Sequence, residues 1–253
     1  MAARLDGTVA LVTGASSGIG EATALALAAE GAAVAVAARR RDRLEALAEK
    51  IGGTGRVLVH ETDVTDESQV RAMVEGTVAE LGRLDTLVNN AGVMLLGPIV
   101  DAPLEEWQRM VQLNVLGLLY CTHAALPHLL QAAEQEPRQV ADVINVSSTA
   151  GRIARSNSGV YNATKFGVNA FSESLRQEVT TRHVRVTLVE PGATSTELAS
   201  HNRPEVQEGM AATFGGIERL TAEDIANAVV YAVTSPRHVA VNEMLIRPTE
   251  QER

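Results

Sequence analysis

Aromatic residues make up only 3% of this 253-residue chain. At this length a sizeable core must still be buried. It has to be packed from Ala, Val, Leu and Ile, within an apolar share of 45%. Cysteine is all but missing. Cys121 stands alone, which excludes an intramolecular disulfide framework and is the pattern of a reducing compartment. It falls in an apolar helical run, where a small buried hydrophobe is a better reading than a nucleophile. Positive charge is in deficit: 22 basic against 31 acidic residues leave a formal net charge of −9. That balance speaks against a general nucleic-acid or anionic-membrane surface. No uncharged apolar stretch reaches the roughly 18 residues that a bilayer span needs, and residues 1–7 form no apolar leader. A cytoplasmic chain with no membrane or nucleic-acid partner is expected, and no metal site. No repeat, linker or change of composition divides residues 1–253, so one domain is expected.

What is present is alternation. Apolar runs rich in β-branched residues at 8–13, 33–38, 56–60, 84–88, 140–146, 184–189 and 239–246 predict strands. Helical patterns fill 21–30, 42–50, 66–81, 104–128, 159–180 and 221–233. Asp66 and Thr221 are placed to cap two of them. This order predicts an α/β fold: a doubly wound, seven-stranded parallel sheet of Rossmann type, with helices on both faces. Such sheets bind ligands at the C-terminal strand ends, at the topological switch point. Residues 131–139 read as a polar surface loop. Residues 199–216 read as irregular, part of a mobile lid spanning about 195–216 over a substrate.

The first strand leads into Gly14-Ala15-Ser16-Ser17-Gly18-Ile19-Gly20 and then a helix. Glycines let backbone approach a pyrophosphate, and the helix N-terminus offers amides and partial positive charge. The second strand ends at Ala38, where an acidic residue would bind a ribose 2′-hydroxyl, and Arg39-Arg40-Arg41 follows. A guanidinium suits a 2′-phosphate, so NADP(H) is expected over NAD(H). Arg40 and Arg41 can equally be part of a solvated loop. Ser16 and Ser17 offer hydroxyls to the phosphates. Asp63 and Val64, just past the third strand, meet the adenine edge, and Asn90, Ala91 and Gly92 end the fourth strand.

Lysine is rarer than the charge count implies: only Lys50 and Lys165 occur. Lys165 stands four residues after Tyr161, one turn along a helix face. An ammonium beside a phenol lowers its pKa from about 10 and makes it a proton donor and acceptor near neutral pH. By itself the pair could be an ordinary surface contact. Ser148 precedes Tyr161 by thirteen residues, at the end of an apolar run. Asn114 sits in Val111-Gln112-Leu113-Asn114-Val115-Leu116, where a buried amide needs partners.

Together, Thr13-Gly14-x-x-x-Gly18-x-Gly20, Asn89-Asn90-Ala91-Gly92, Asn114, Ser148, Tyr161-x-x-x-Lys165 and Pro191-Gly192 resemble the short-chain dehydrogenase/reductase (SDR) family. Arg39 after Ala38 resembles its NADP-preferring branch. The resemblance spans nearly the whole chain. It implies an NADPH-dependent reductase of a small aldehyde or ketone, reversibly oxidising the alcohol. Tyr161 would be the general acid and base, Lys165 would tune it and hold the nicotinamide ribose, and Ser148 would hold the substrate oxygen. Asn114 would hold a proton-relaying water. Asn90 would lie against the ribose, and Thr194 and Thr196 would reach the carboxamide, with Ile19, Pro191 and Gly192 lining the cofactor. A homotetramer, or a dimer, built on 104–128 and 159–180 is implied. Residues 89–98, 166–179 and 246–249 are most similar to aldehyde reductases of the clavulanic acid dehydrogenase type. Carrier-linked 3-ketoacyl reduction, with Arg152, Arg155 and Arg176 as a docking patch, and non-catalytic NADP(H) sensing are the alternatives.

Overall fold

Strand β1, Val9–Thr13, lies at the centre of the molecule and is buried along its length. In this computed structural model, which describes residues 3–53, 56–214 and 216–252 but not the side chains of 210–214, it pairs on one side with β2, Ala33–Ala38, and on the other with β4, Thr86–Asn89. Adding β3 (Val57–Glu61), β5 (Ala141–Val146), β6 (Val184–Pro191) and β7 (Glu243–Ile246) gives a parallel sheet in the order β3-β2-β1-β4-β5-β6-β7. The chain builds outward from β1 to β3, then returns past β1 to β4. The strand order therefore reverses between β1 and β4, and a crevice opens at their C-terminal ends.

Helices cover both faces. Helices α1 (Gly18–Ala29), α2 (Arg41–Gly52) and α8 (Ala222–Thr234) press Leu27, Leu44, Leu47 and Val229 onto Ala10 and Val12. Helices α3 (Glu67–Leu81), α5 (Leu118–Ala132) and α6 (Gly159–Val179) press Met73, Leu129 and Leu175 onto Val9 and Leu11. Alternate residues of one strand thus feed two cores, as a period of two requires. Cys121 lies in the second core and its thiol is pushed up to about 12 by burial, the behaviour of an inert packing residue.

Several segments differ from the sequence expectation, among them the seventh strand, which begins at Glu243 and not at 239. The long helix over 104–128 is instead α4 (Leu104–Val111), a π-helical segment (Gln112–Gly117) and α5. A π segment carries an inserted residue and turns one side chain out of phase, here the buried Asn114. Gly117 lets this turn close on Val64, whose methyl would stand 3.0 Å from an added Cβ. The run Leu104–Ala132 has the length and hydropathy of a membrane span, yet α5 packs against β4, β5 and α3. Residues 199–216 are not irregular: a 3-10 turn, Glu197–His201, leads into α7, Pro204–Phe214. Proline at the first helical position presets the backbone for that turn. Residue 215 of that segment, and 54–55 of the loop before β3, lie outside the described residues. Helix α5 also runs to Ala132, into the stretch expected to be loop.

Candidate active site

The glycine turn is held from below by hydrogen bonds that its own sequence does not announce. The amides of Asn90 and Ala91 donate to Thr13 Oγ1 at 3.1 and 3.2 Å. Asn90 Nδ2 donates to the carbonyls of Thr13 and Gly14, at 3.1 and 3.2 Å. Gly14 has φ +65°, and a Cβ there would stand 2.8 Å from Ala91 Cα. A Cβ on Gly20 would strike the Gly14 carbonyl oxygen and Asn90 Nδ2. Turn, helix start and β4 end therefore pack backbone to backbone, and only glycine fits. The cradle this leaves is one that a pyrophosphate suits.

At the end of β2, Arg40 donates to Ser16 Oγ from Nε and Nη2, at 3.1 and 2.9 Å, and to Ser17 Oγ at 2.8 Å. Both hydroxyls expected for the phosphates are thus engaged by Arg40. Arg39 is exposed and makes no hydrogen bond or ion pair among the described residues. Arg41 belongs to α2 and pairs with Glu45 at 2.8 Å, so it is a surface group. Asp63 Oδ1 accepts from the Thr65 amide and hydroxyl at 3.0 and 2.8 Å, which fixes its loop.

Ser148 leaves the end of β5, and Tyr161 and Lys165 come from the first turns of α6. Tyr161 is 6% exposed and Lys165 is 8% exposed. Ser148 stands beside the Tyr161 phenol and favours its charged form. Lys165 Nζ donates to the Val146 carbonyl at 2.8 Å and lies 5.9 Å from the centre of the Tyr161 ring. This corrects the expectation that the ammonium depresses the phenol pKa. Burial dominates instead. It pushes Tyr161 up to about 12, against the lowering by Ser148, and pushes Lys165 down to about 8. Each charged form loses water on burial, and that loss sets the direction of both shifts. The phenol is therefore a proton donor at rest.

Asn114 is buried behind these groups. Its side chain donates to the Val93 carbonyl and accepts from the Val93 amide, both at 2.8 Å, and reaches Thr164 Oγ1 at 3.3 Å. It ties the π segment, the loop after β4 and α6 together. One cavity of about 1010 Å³ joins the regions. It is lined by every residue expected to bind the cofactor except Gly20, and by Ser148; Gly20 and Asn114 support it from behind. Thr194 and Thr196 line it beyond β6, Thr194 Oγ1 donating to the Gly192 carbonyl and Thr196 Oγ1 capping the 3-10 turn.

The family model described as short chain dehydrogenase matches residues 8–207. The chain belongs to the short-chain dehydrogenase family. It is 42% identical over 248 residues to a glycine betaine reductase of Emericella nidulans, covering 98% of this chain but only 19% of that much longer protein. It is 37% identical to an uncharacterized oxidoreductase of Staphylococcus saprophyticus, over 96% of both chains. A serine dehydrogenase complexed with NADP+, 33% identical, superposes with a TM-score of 0.87 over 97% of each chain. The chain is thus an oxidoreductase of the class that acts on alcohol and carbonyl groups.

Within this short-chain dehydrogenase the sequence reading missed a buried network beside Ser148. Glu190, at 0% exposed, holds Arg152 with both oxygens, at 2.7 and 2.8 Å, and accepts from Asn169 Nδ2 at 2.7 Å. Asn169 Oδ1 accepts from Ser147 Oγ at 2.6 Å. Arg152 also reaches Glu243 on β7. Four separate segments are clamped behind the Ser148 loop. Glu190 beside Pro191-Gly192 was the one visible signal, a carboxylate in an apolar strand. Gln251 was missed as well: it lines the cavity, and its Oε1 accepts from the Ala193 amide at 2.9 Å.

Proposed function

We propose that the chain is an NADPH-dependent carbonyl reductase, acting reversibly on a small aldehyde or ketone. The observation that carries this reading is the buried Tyr161, with Ser148 and Lys165 beside it, in one cavity with Arg39 and Arg40. The glycine cradle fits a pyrophosphate, and the exposed guanidinium of Arg39 suits a 2′-phosphate. When bound, NADPH supplies the hydride that reduces the carbonyl carbon. Ser148 orients the carbonyl oxygen and donates to it as negative charge develops. Tyr161 passes its proton to that oxygen, giving the alcohol. Lys165 holds positive charge within reach and orients the ribose. Asn114 keeps the π segment against α6 and would hold the proton-relaying water there. The segment over about 195–216 acts as the lid.

Met94, Leu96, Leu113 and Ile153 give the cavity wall near Tyr161 an apolar character, which suits a small organic carbonyl of the aldehyde-reductase kind. A carrier-docking patch is weakened by the ion pairs. Arg152 is held by Glu190 and Arg176 by Glu173, leaving Arg155 alone of the three without an ion pair among the described residues. The test is Tyr161→Phe. It keeps NADPH binding, read by cofactor fluorescence, and loses at least about 100-fold in turnover of aldehydes. Wild-type turnover by that variant would reject the reading.

A further inference from the structure

Glu197 is a carboxylate standing where an anion-binding site is expected. Its Oε2 accepts from Arg40 Nη1 at 2.9 Å, and its Oε1 from Arg43 Nη1 at 2.6 Å. Arg40 is the same guanidinium that holds Ser16 and Ser17. Glu197 reaches it from beyond β6, 157 positions along the chain. Its neighbours are pinned too. The side chain of Thr196 lies 3.2 Å from where a Cβ on Gly18 would sit. Buried Asn202 accepts from the Leu96 amide at 2.7 Å. Glu197 is thus held against the phosphate end of the cavity by its surroundings. Arg43 first, then Arg40, holds its carboxyl down at about 2, so it is an anion at every working pH.

We propose that Glu197 is a specificity-determining residue of the cofactor site, its carboxylate competing with the 2′-phosphate of NADP(H) for Arg40. This rests on the NADP(H) reading above. A guanidinium offers one planar fork to a carboxylate or a phosphate. Arg40 has committed its fork to Ser16, Ser17 and Glu197. A 2′-phosphate must either displace the carboxylate or sit beside it as a like charge. Arg39, exposed and unpaired among the described residues, meets the phosphate without that competition. A 2′-hydroxyl makes no demand on Arg40, so NADH is indifferent to Glu197. Glu197 therefore weakens NADPH binding selectively and tempers the preference that Arg39 creates.

The test is binding, measured without turnover. Dissociation constants of NADPH and NADH are read by nicotinamide fluorescence for wild type and Glu197→Gln. Calorimetry with adenosine 2′,5′-bisphosphate and 5′-AMP isolates the phosphate. Glu197→Gln should tighten NADPH and the bisphosphate about fivefold, leave NADH and AMP unchanged, and lose its advantage as salt rises. Glu197→Ala, at this half-exposed position, should behave alike. No change, or equal changes for both dinucleotides, overturns the proposal. Wild type that binds NADPH no better than NADH, with a preference appearing in Glu197→Gln, would sink the cofactor reading and keep the role of Glu197. Absence of preference in both proteins would sink both.

Discussion

Lys165 shows what burial does to one residue. The residue is 8% exposed and its pKa falls from 10.5 to about 8. A depressed lysine pKa means that the folded state binds fewer protons than the unfolded chain between those values. Stability therefore rises with pH across that window, and the burden is fully present below about 8. At 1.36 kcal/mol per pKa unit the burden is about 3 kcal/mol at most. The bond to the Val146 carbonyl favours the ammonium and reduces it. Lys165→Met should therefore unfold at higher urea than wild type at pH 7, with the gap closing as pH approaches 10.5, while reductase turnover is lost. Equal or lower stability of Lys165→Met at pH 7 would show that the bond to Val146 outweighs desolvation. The same rule reversed the expectation for Tyr161. Four-residue spacing was visible in the sequence, but the balance of burial against charge was not.

At the scale of elements, the loop after β5 depends on groups from α6, β6 and β7. Glu190, next to last in β6, is fully buried, and Arg152, 37% exposed on its side chain, answers it from the loop. Removing one partner of a buried pair leaves the other uncompensated. Screening at the exposed end of Arg152 limits the loss. Glu190→Gln should thus destabilise by about 2 kcal/mol and speed amide exchange over residues 149–158. Unchanged exchange there would mean that the clamp does not order the loop. Element existence was readable from periodicity. The π segment was not, because one inserted residue leaves the apolar pattern of 104–132 almost intact. Helix α7 was also not readable, since Gly209 and polar residues blur its period.

At the scale of the molecule, apolar groups remain exposed on the outer side of α4, the π segment and α6. Leu104, Val111, Leu116 and Phe166 are 60%, 42%, 37% and 43% exposed, on elements that touch one another. A patch of this kind favours self-association, and it supports the proposal of a homotetramer or dimer. Phe166→Glu should shift the elution of the protein toward monomer in light scattering, with thermal unfolding that loses its dependence on protein concentration. A wild-type protein already monomeric at working concentration would end that proposal.

The sequence by itself determined the order of strands and helices, the glycine turn and the spacing of Tyr161 from Lys165. These are local patterns, written by periodicity and backbone sterics over a few residues. The tertiary structure alone decided which groups share the cavity. It turned Asn114 inward, placed Glu190 behind Ser147, and set Glu197 on Arg40 across 157 positions. It also decided the sign of the pKa shifts, because desolvation belongs to the packed surroundings and not to the residue.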